Sequence, residues 1–300
     1  MSGRYFALVN PAAGGGRCGE FAEKALEGLR REGIELEIAR TSAPGEGSTL
    51  VREAYARGWR QFIAVGGDGT AYEIVNGLFP RSEFEERVTL GFLPLGTGNS
   101  FLKDFTERGV EGSTEAIHSG KKRACDVVRL EHAGGTIYFI NLLTLGFAAD
   151  VAAQTNRRFK RFGELGYILG VMTCLLRLRR RAFPLRADEE REFDRRKCLF
   201  LAFSNSRFTG GKMMIAPLAD TADGLIEYVR WGPIGRMRLL YNFRRLFDGT
   251  HIRHPQASRM GVRRVEFEPA GPVNVMVDGE SLELECRTVE VLPGALDVLV

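Results

Sequence analysis

The chain has 300 residues, 44% of them hydrophobic, and a formal net charge of +4. Single cores stop growing at about 250 to 300 residues, so two domains are expected. So small a charge, without a basic tail, argues against nucleic acid as a partner, and five scattered cysteines (Cys18, Cys125, Cys174, Cys198, Cys286) with no CxxC pair argue against a zinc centre or a disulfide-stapled secreted domain. The start, MSGRYFALVN, lacks the features of a signal peptide, which makes a cytoplasmic setting the expectation. The longest apolar stretch, LGYILGVMTCLL at 165–176, falls short of the roughly 20 residues that span a bilayer.

In chain order, the first third alternates apolar YFALV, amphipathic CGEFAEKALEGLRREG, apolar IELEIA, helical GEGSTLVREAYARG, apolar QFIAV, a glycine-rich joint with its helix, and apolar VTLGFLPL. That is a βαβαβαβ pattern, which predicts an α/β domain with a parallel sheet covered by helices. From about Ala124 the texture changes to paired apolar runs joined by Gly, Pro and Asp turns, the pattern of antiparallel strands packed as a β-sandwich. The predicted domains are 1–123 and 124–300, with the last residues of the chain allowed to return to the first. Helical inserts are predicted near 148–181 and 235–247, and a ligand is expected in the cleft between the domains.

Three glycine-rich joints follow strands of the first domain. The first, NPAAGGGRCGE, contains a GxGxxG spacing in Gly14, Gly16 and Gly19, but the second strand ends in Arg40 and Thr41 where a dinucleotide fold expects an acid. The second is AVGGDGTAYEIVNGL at 64–78 and the third GFLPLGTGNSF at 91–101. Turns that leave the carboxyl ends of parallel strands share one edge, where helix amino termini and free N–H groups favour a di- or triphosphate. Thr70 and Glu73 fit a capping box. Asp68 lies among anion-favouring glycines and would repel phosphate, which argues for an intervening Mg²⁺.

GGDGT at 66–70, PLGTGN at 94–99 and NPAAGGG at 10–16 resemble the nucleotide-binding motifs of the diacylglycerol kinase catalytic-domain family, which includes bacterial lipid kinases and sphingosine kinases and has NAD kinases as distant relatives. The resemblance runs over nearly the whole chain. It implies an ATP-binding first domain and a β-sandwich that helps form the lipid site. Carried over to this sequence, it assigns the nucleotide to Asn10, Thr41, the run Gly66, Gly67, Asp68, Gly69, Thr70, Ala71 and Tyr72, and the turn Gly96, Thr97, Gly98 and Asn99. Two positions depart from the usual pattern: Ser100 where GTGN is usually followed by Asp, and Tyr72 where many bacterial relatives have Asn.

In the second half, APLADTADGLIEY reads either as a hairpin turn or as a cation site, because Asp220, Asp223 and the carbonyl of Leu225 can offer oxygens to one hard ion. The resemblance matches these three to the family's structural magnesium site. VNVMVDGESLELE reads by turn chemistry as another hairpin. The resemblance implies that Glu280 is the general base, with Asp278 supporting it or reaching the metal and Asp68 acting through Mg²⁺.

The expected activity is therefore transfer of the γ-phosphoryl of ATP to the hydroxyl of diacylglycerol or a similar membrane lipid. Sphingoid-base kinase, NAD kinase and a non-catalytic nucleotide- or lipid-binding module remain open. The stretch RRFKRFGELGYILGVMTCLLRLRRR at 157–181 reads either as a core helix with charged ends or as a peripheral contact with an anionic membrane. A homodimer is also left open. His251 and His254 are expected to be surface polar residues.

Overall fold

The computed structural model describes residues 3–81, 86–155 and 172–300. The chain divides into two compact units, Met1–Val127 with Leu292–Val300, and Val128–Val291.

In the first unit β1 (Arg4–Val9), α1 (Arg17–Arg31), β2 (Glu35–Arg40), α2 (Glu46–Ala56), β3 (Gln61–Gly66), α3 (Asp68–Leu78), β4 (Thr89–Pro94) and α4 (Gly109–Ser119) follow one another. The sheet order is β2-β1-β3-β4 and every pair is parallel. The apolar residues of α1 recur at helical spacing, and Cys18, Ala22, Leu26 and Leu29 are buried in one cluster with Ala7 and Val9 of β1 and Ile63 and Val65 of β3. Strand β3 is buried almost throughout, as expected for the middle of a parallel sheet covered on its faces. Since parallel strands end on one edge, Val9 lies beside both Arg40 and Val65, and Gly66 beside Pro94. The four following loops thus start side by side.

The chain enters the second unit within β5 (Lys122–His132) and returns to the first within the last long strand. Its main sheet contains β7 (Leu142–Gly146), β8 (Phe200–Ser204), β9 (Ile226–Trp231), β10 (Ala257–Val262), β12 (Val273–Val277) and β13 (Glu280–Leu284); β6 (Gly135–Phe139) pairs with β5 instead. The order is β10-β9-β8-β7-β12-β13, antiparallel at every pair. A second set of strands includes β11 (Arg264–Phe267) paired with β14 (Cys286–Leu299). The ring of Phe203 on β8 stacks on Tyr228 at 5.1 Å and meets Phe267 of β11 edge-on at 5.6 Å, a sandwich-like contact between the two sets.

The first helical insert begins with α5 (Phe147–Gln154); residues 156–171 lie outside the described residues, and with them most of the basic stretch 157–181 and of the apolar run 165–176. The second is α6 (Arg236–Asn242), continued by a 3-10 turn over Phe243–Leu246. No helix among the described residues is long and apolar enough to cross a membrane.

Two expectations are corrected. Glu73 does not close a capping box with Thr70, because α3 starts earlier, after Gly67. Its carboxylate instead accepts the N–H groups of Gly45 at 2.8 Å and Gly47 at 2.7 Å, at the start of α2, whose orphan amides need an acceptor. His251 is fully buried against Trp231, with Nδ1 3.2 Å from the carbonyl of Arg245, and burial lowers its pKa. Replacing Glu73 by Ala strands both amides, and should lower stability by about 1–3 kcal/mol. A reduced urea midpoint with unchanged slope is the expected reading.

Candidate functional site

The loops at the strand ends are tied to one another. The amide of Asn10 donates to the carbonyl of Val65 at 3.0 Å, that of Thr41 to Val9 at 2.9 Å, and that of Gly96 to Gly66 at 2.8 Å. Asn10 also accepts the N–H of Ala12 on its side chain at 3.1 Å, which folds the chain into the first glycine turn. Two glycines are required by close approach. A Cβ on Gly96 would lie 2.4 Å from the Cα of Gly67, and one on Gly14, at φ +63°, would lie 2.5 Å from the carbonyl oxygen of Leu95.

Asp68 is the first residue of α3 and is half-buried. One oxygen accepts the N–H of Ser100 at 2.9 Å and the other the N–H of Phe101 at 3.2 Å. Burial raises its pKa, opposed by these bonds, by the Ser100 hydroxyl and by the charge of Lys103. In the structure each oxygen has one backbone N–H donor, so the carboxylate also clamps the loop that follows β4. Ser100, which stands where GTGN is usually followed by Asp, is itself buried beside this carboxylate.

The rest of the 66–72 run divides by exposure. Thr70 and Ala71 are buried, and both their amides donate to the carbonyl of Gly67 at 3.0 and 3.3 Å. Tyr72 is half-buried on the same helix. The amides of Asp68 and Gly69, in the first turn of α3, have no acceptor within the helix. In the third turn Thr97 is exposed and Gly98 half-buried, while Asn99, at φ +49°, closes the loop by donating its side-chain amide to Gly96 at 3.0 Å. A small pocket opens beside these residues, lined by Gly66, Gly67, Asp68, Phe92, Asn99 and Phe101.

In the second unit Asp278 and Gly279 form the two-residue turn between β12 and β13, with φ +46° and +90°, values that Asp-Gly hairpins adopt. Asp278 was expected to support Glu280 or reach a metal. It is 1% exposed, and its carboxylate accepts the N–H groups of Ile140, Asn141 and Leu142 at 2.9–3.0 Å. These bonds hold the turn, and Glu280 is exposed as the first residue of β13.

Two buried asparagines missed by sequence reasoning complete this support. The amide of Asn205 donates to the carbonyl of Asn141 and its side chain to that of Ile140, both at 2.8 Å. The available signal was an asparagine set in otherwise apolar strand sequence, as in YFINLLTL.

Asp220 and Asp223 each accept a backbone N–H two residues ahead, from Ala222 at 3.1 Å and Leu225 at 2.9 Å. Partial burial raises the pKa of Asp223, and the neighbouring Asp220 charge adds to it. Two carboxylates that repel, with the Leu225 carbonyl beside them in sequence, form an all-oxygen donor set suited to a hard cation. Separately, a pocket of about 180 Å³ is lined by Phe147, Asp150, Thr173, Arg177, Arg181 and Asn274, with the Asn274 amide donating to Asp150 at 3.0 Å.

Residues 4–130 match the diacylglycerol kinase catalytic domain, and residues 141–300 match the YegS C-terminal NAD kinase beta sandwich-like domain. The chain belongs to the family of diacylglycerol kinases and YegS-like lipid kinases. A "Diacylglycerol kinase" of Mycobacterium tuberculosis is 28% identical over 99% of this chain and 95% of its own length. A "Probable lipid kinase YegS-like" protein of Chromohalobacter salexigens is 33% identical over 91% of this chain and 86% of its own. A crystal structure from Bacillus anthracis str. Sterne shares the fold with a TM-score of 0.77 at 22% identity, covering 99% of this chain and 94% of that one. Membership in this kinase family makes the protein a phosphotransferase and implies ATP as donor.

Gly96→Ala tests the rim. The added carbon would meet backbone rather than a movable side chain, so the two loops must part, and affinity for an ATP analogue should fall at least tenfold by calorimetry, about 1.4 kcal/mol.

Proposed function

We propose that this protein transfers the γ-phosphoryl group of Mg·ATP to the hydroxyl of diacylglycerol or a similar membrane alcohol, with Glu280 as general base. The single observation that most supports the reading is the pairing of Gly67 with Gly96, which brings two loops into backbone contact beside the amino terminus of α3. Amides there meet phosphate oxygens without a Cβ in the way. The relatives named as diacylglycerol and lipid kinases support the class of acceptor.

In this reading the protein mainly positions reactants and neutralises charge. The rim amides hold the phosphates. The acceptor hydroxyl oxygen forms a bond to the γ-phosphorus as the bond from that phosphorus to the bridging oxygen of ADP breaks, and the hydroxyl proton passes to the Glu280 carboxylate. The hairpin clamped by Asp278 keeps that carboxylate in one place, which limits the entropy lost on reaching the transition state. The pocket lined by Asp150 and Asn274, apolar at Phe147 and polar at its other wall, suits the head of a glycerolipid. Asp220, Asp223 and the Leu225 carbonyl are the residues that would hold a structural Mg²⁺, which when bound supplies positive charge between the two carboxylates.

Glu280→Gln should fold normally and lose about 10² to 10⁴ in turnover, read by transfer of labelled phosphate from ATP to diacylglycerol in mixed micelles. Near-normal activity would reject the base, and labelling of a soluble dinucleotide or a sphingoid base instead would reject the acceptor. Mg²⁺ should stabilise the protein against urea by about 2.7 kcal/mol at about 100 Kd. Asp223→Asn should abolish that shift while leaving the midpoint in chelator little changed.

A further inference from the structure

Helix α6 is apolar on both faces. Leu239, Asn242 and, one turn on, Leu246 point inward; Leu239 and Leu246 join a core cluster with Leu175 and Trp231. On the opposite side Met237, Leu240 and Tyr241, at helical spacing i, i+3 and i+4, are 77%, 51% and 82% exposed. Leu176, 71% exposed, lies beside the start of this helix, because the Arg236 guanidinium donates to the carbonyls of Leu175 and Leu176 at 2.9 and 2.7 Å.

Arginine surrounds this patch. The stretch 235–247 carries Arg236, Arg238, Arg244 and Arg245, and the stretch 172–181 carries Arg177, Arg179, Arg180 and Arg181, with no acidic residue in either. Arg236, Arg238, Arg244, Arg177, Arg179 and Arg180 are exposed. The terminal nitrogen of Arg180 lies 3.6 Å from where a Cβ on Gly235 would stand, so the two basic stretches adjoin. Among the described residues the nearby carboxylates include Asp248, which accepts the Thr250 N–H and hydroxyl, and Asp150, which faces Arg181 at 3.7 Å.

We propose that the outer face of α6, with Leu176, is a docking surface for an anionic lipid bilayer. An apolar strip bordered by cations is complementary to a surface that is apolar beneath and negative above: Met237, Leu240 and Tyr241 enter the boundary between headgroups and chains, and the arginines meet lipid phosphates. The proposal deepens the kinase reading by supplying access to a membrane alcohol, but binding is measured without turnover, so the two can fail separately.

Wild-type protein should sediment with vesicles of equimolar phosphatidylglycerol and phosphatidylcholine and not with phosphatidylcholine alone, and salt should weaken the association. The triple variant Met237→Ser, Leu240→Ser, Tyr241→Ser should partition roughly tenfold less or weaker still, with an unchanged unfolding midpoint and unchanged phosphorylation of a short-chain diacylglycerol in detergent. Should that variant misfold, Arg238→Glu with Arg244→Glu is the second probe, expected to remove the preference for phosphatidylglycerol. Equal partitioning of a folded variant and wild type overturns the proposal. So does equal wild-type binding to both vesicles, or a wild-type dimer in lipid-free solution that the triple variant dissociates. Vesicle binding as expected, with no lipid phosphorylated at all, upholds the surface and removes the kinase reading.

Discussion

A carboxylate half-buried at the start of a helix must find donors, and Asp68 finds them in the segment that follows β4. This constraint organises the rim of the first unit. By accepting the amides of Ser100 and Phe101, Asp68 draws the GTGN loop onto the GGDG loop, and the approach is close enough that Gly67 and Gly96 touch through their backbones. Side chains are thereby excluded from the contact, and what remains along that edge is largely peptide, including the first amides of α3. The same carboxylate would be a poor neighbour for phosphate if it pointed outward. Turned inward, it serves as the fastener.

The second unit uses the same device. Asp278 lies in a turn whose positive backbone angles suit Asp-Gly, and its carboxylate gathers the amides of Ile140, Asn141 and Leu142 at the start of β7. Asn205 then ties the carbonyl side of that segment to the end of β8. A hairpin tip is ordinarily among the more mobile parts of a sheet. Fastened in this way it becomes a fixed base for Glu280. In both units an acid beside glycine accepts hydrogen bonds from consecutive amides of another segment.

Much of the architecture is legible in the sequence. The alternation of YFALV, IELEIA, QFIAV and VTLGFLPL with amphipathic runs leaves few arrangements other than a parallel sheet, and parallel strands put their following loops on one edge. The residue types of those loops are legible too, because glycine needed for close approach has no substitute. Partners are not. The spacing of Thr70 and Glu73 suggests a local cap, yet the carboxylate reaches α2, from which it is separated by a whole strand in sequence. His251 in GTHIRHP looks like a surface residue from its sequence, and only the packing of Phe200 and Trp231 about it reveals a buried ring. Contacts between segments distant in sequence carry no periodic signal, and these were the expectations that needed correction.

Helix α6 makes the same point from the side of exposure. In RMRLLYNFRRLF apolar residues fall all around the helix, so no moment in the sequence selects an inner face. The structure selects one by packing Leu239 and Leu246 with Trp231, and it even buries Asn242, whose side chain donates to the carbonyl of Arg238 at 2.8 Å. A polar residue thus lies inward while Met237, Leu240 and Tyr241 face out, the reverse of what water alone would favour. Isolated exposed apolar residues are ordinary on protein surfaces. Three on adjacent turns, with guanidinium groups and no carboxylate in their own stretch, form a patch of the kind associated with interaction sites, and that charge is the ground for proposing an anionic partner.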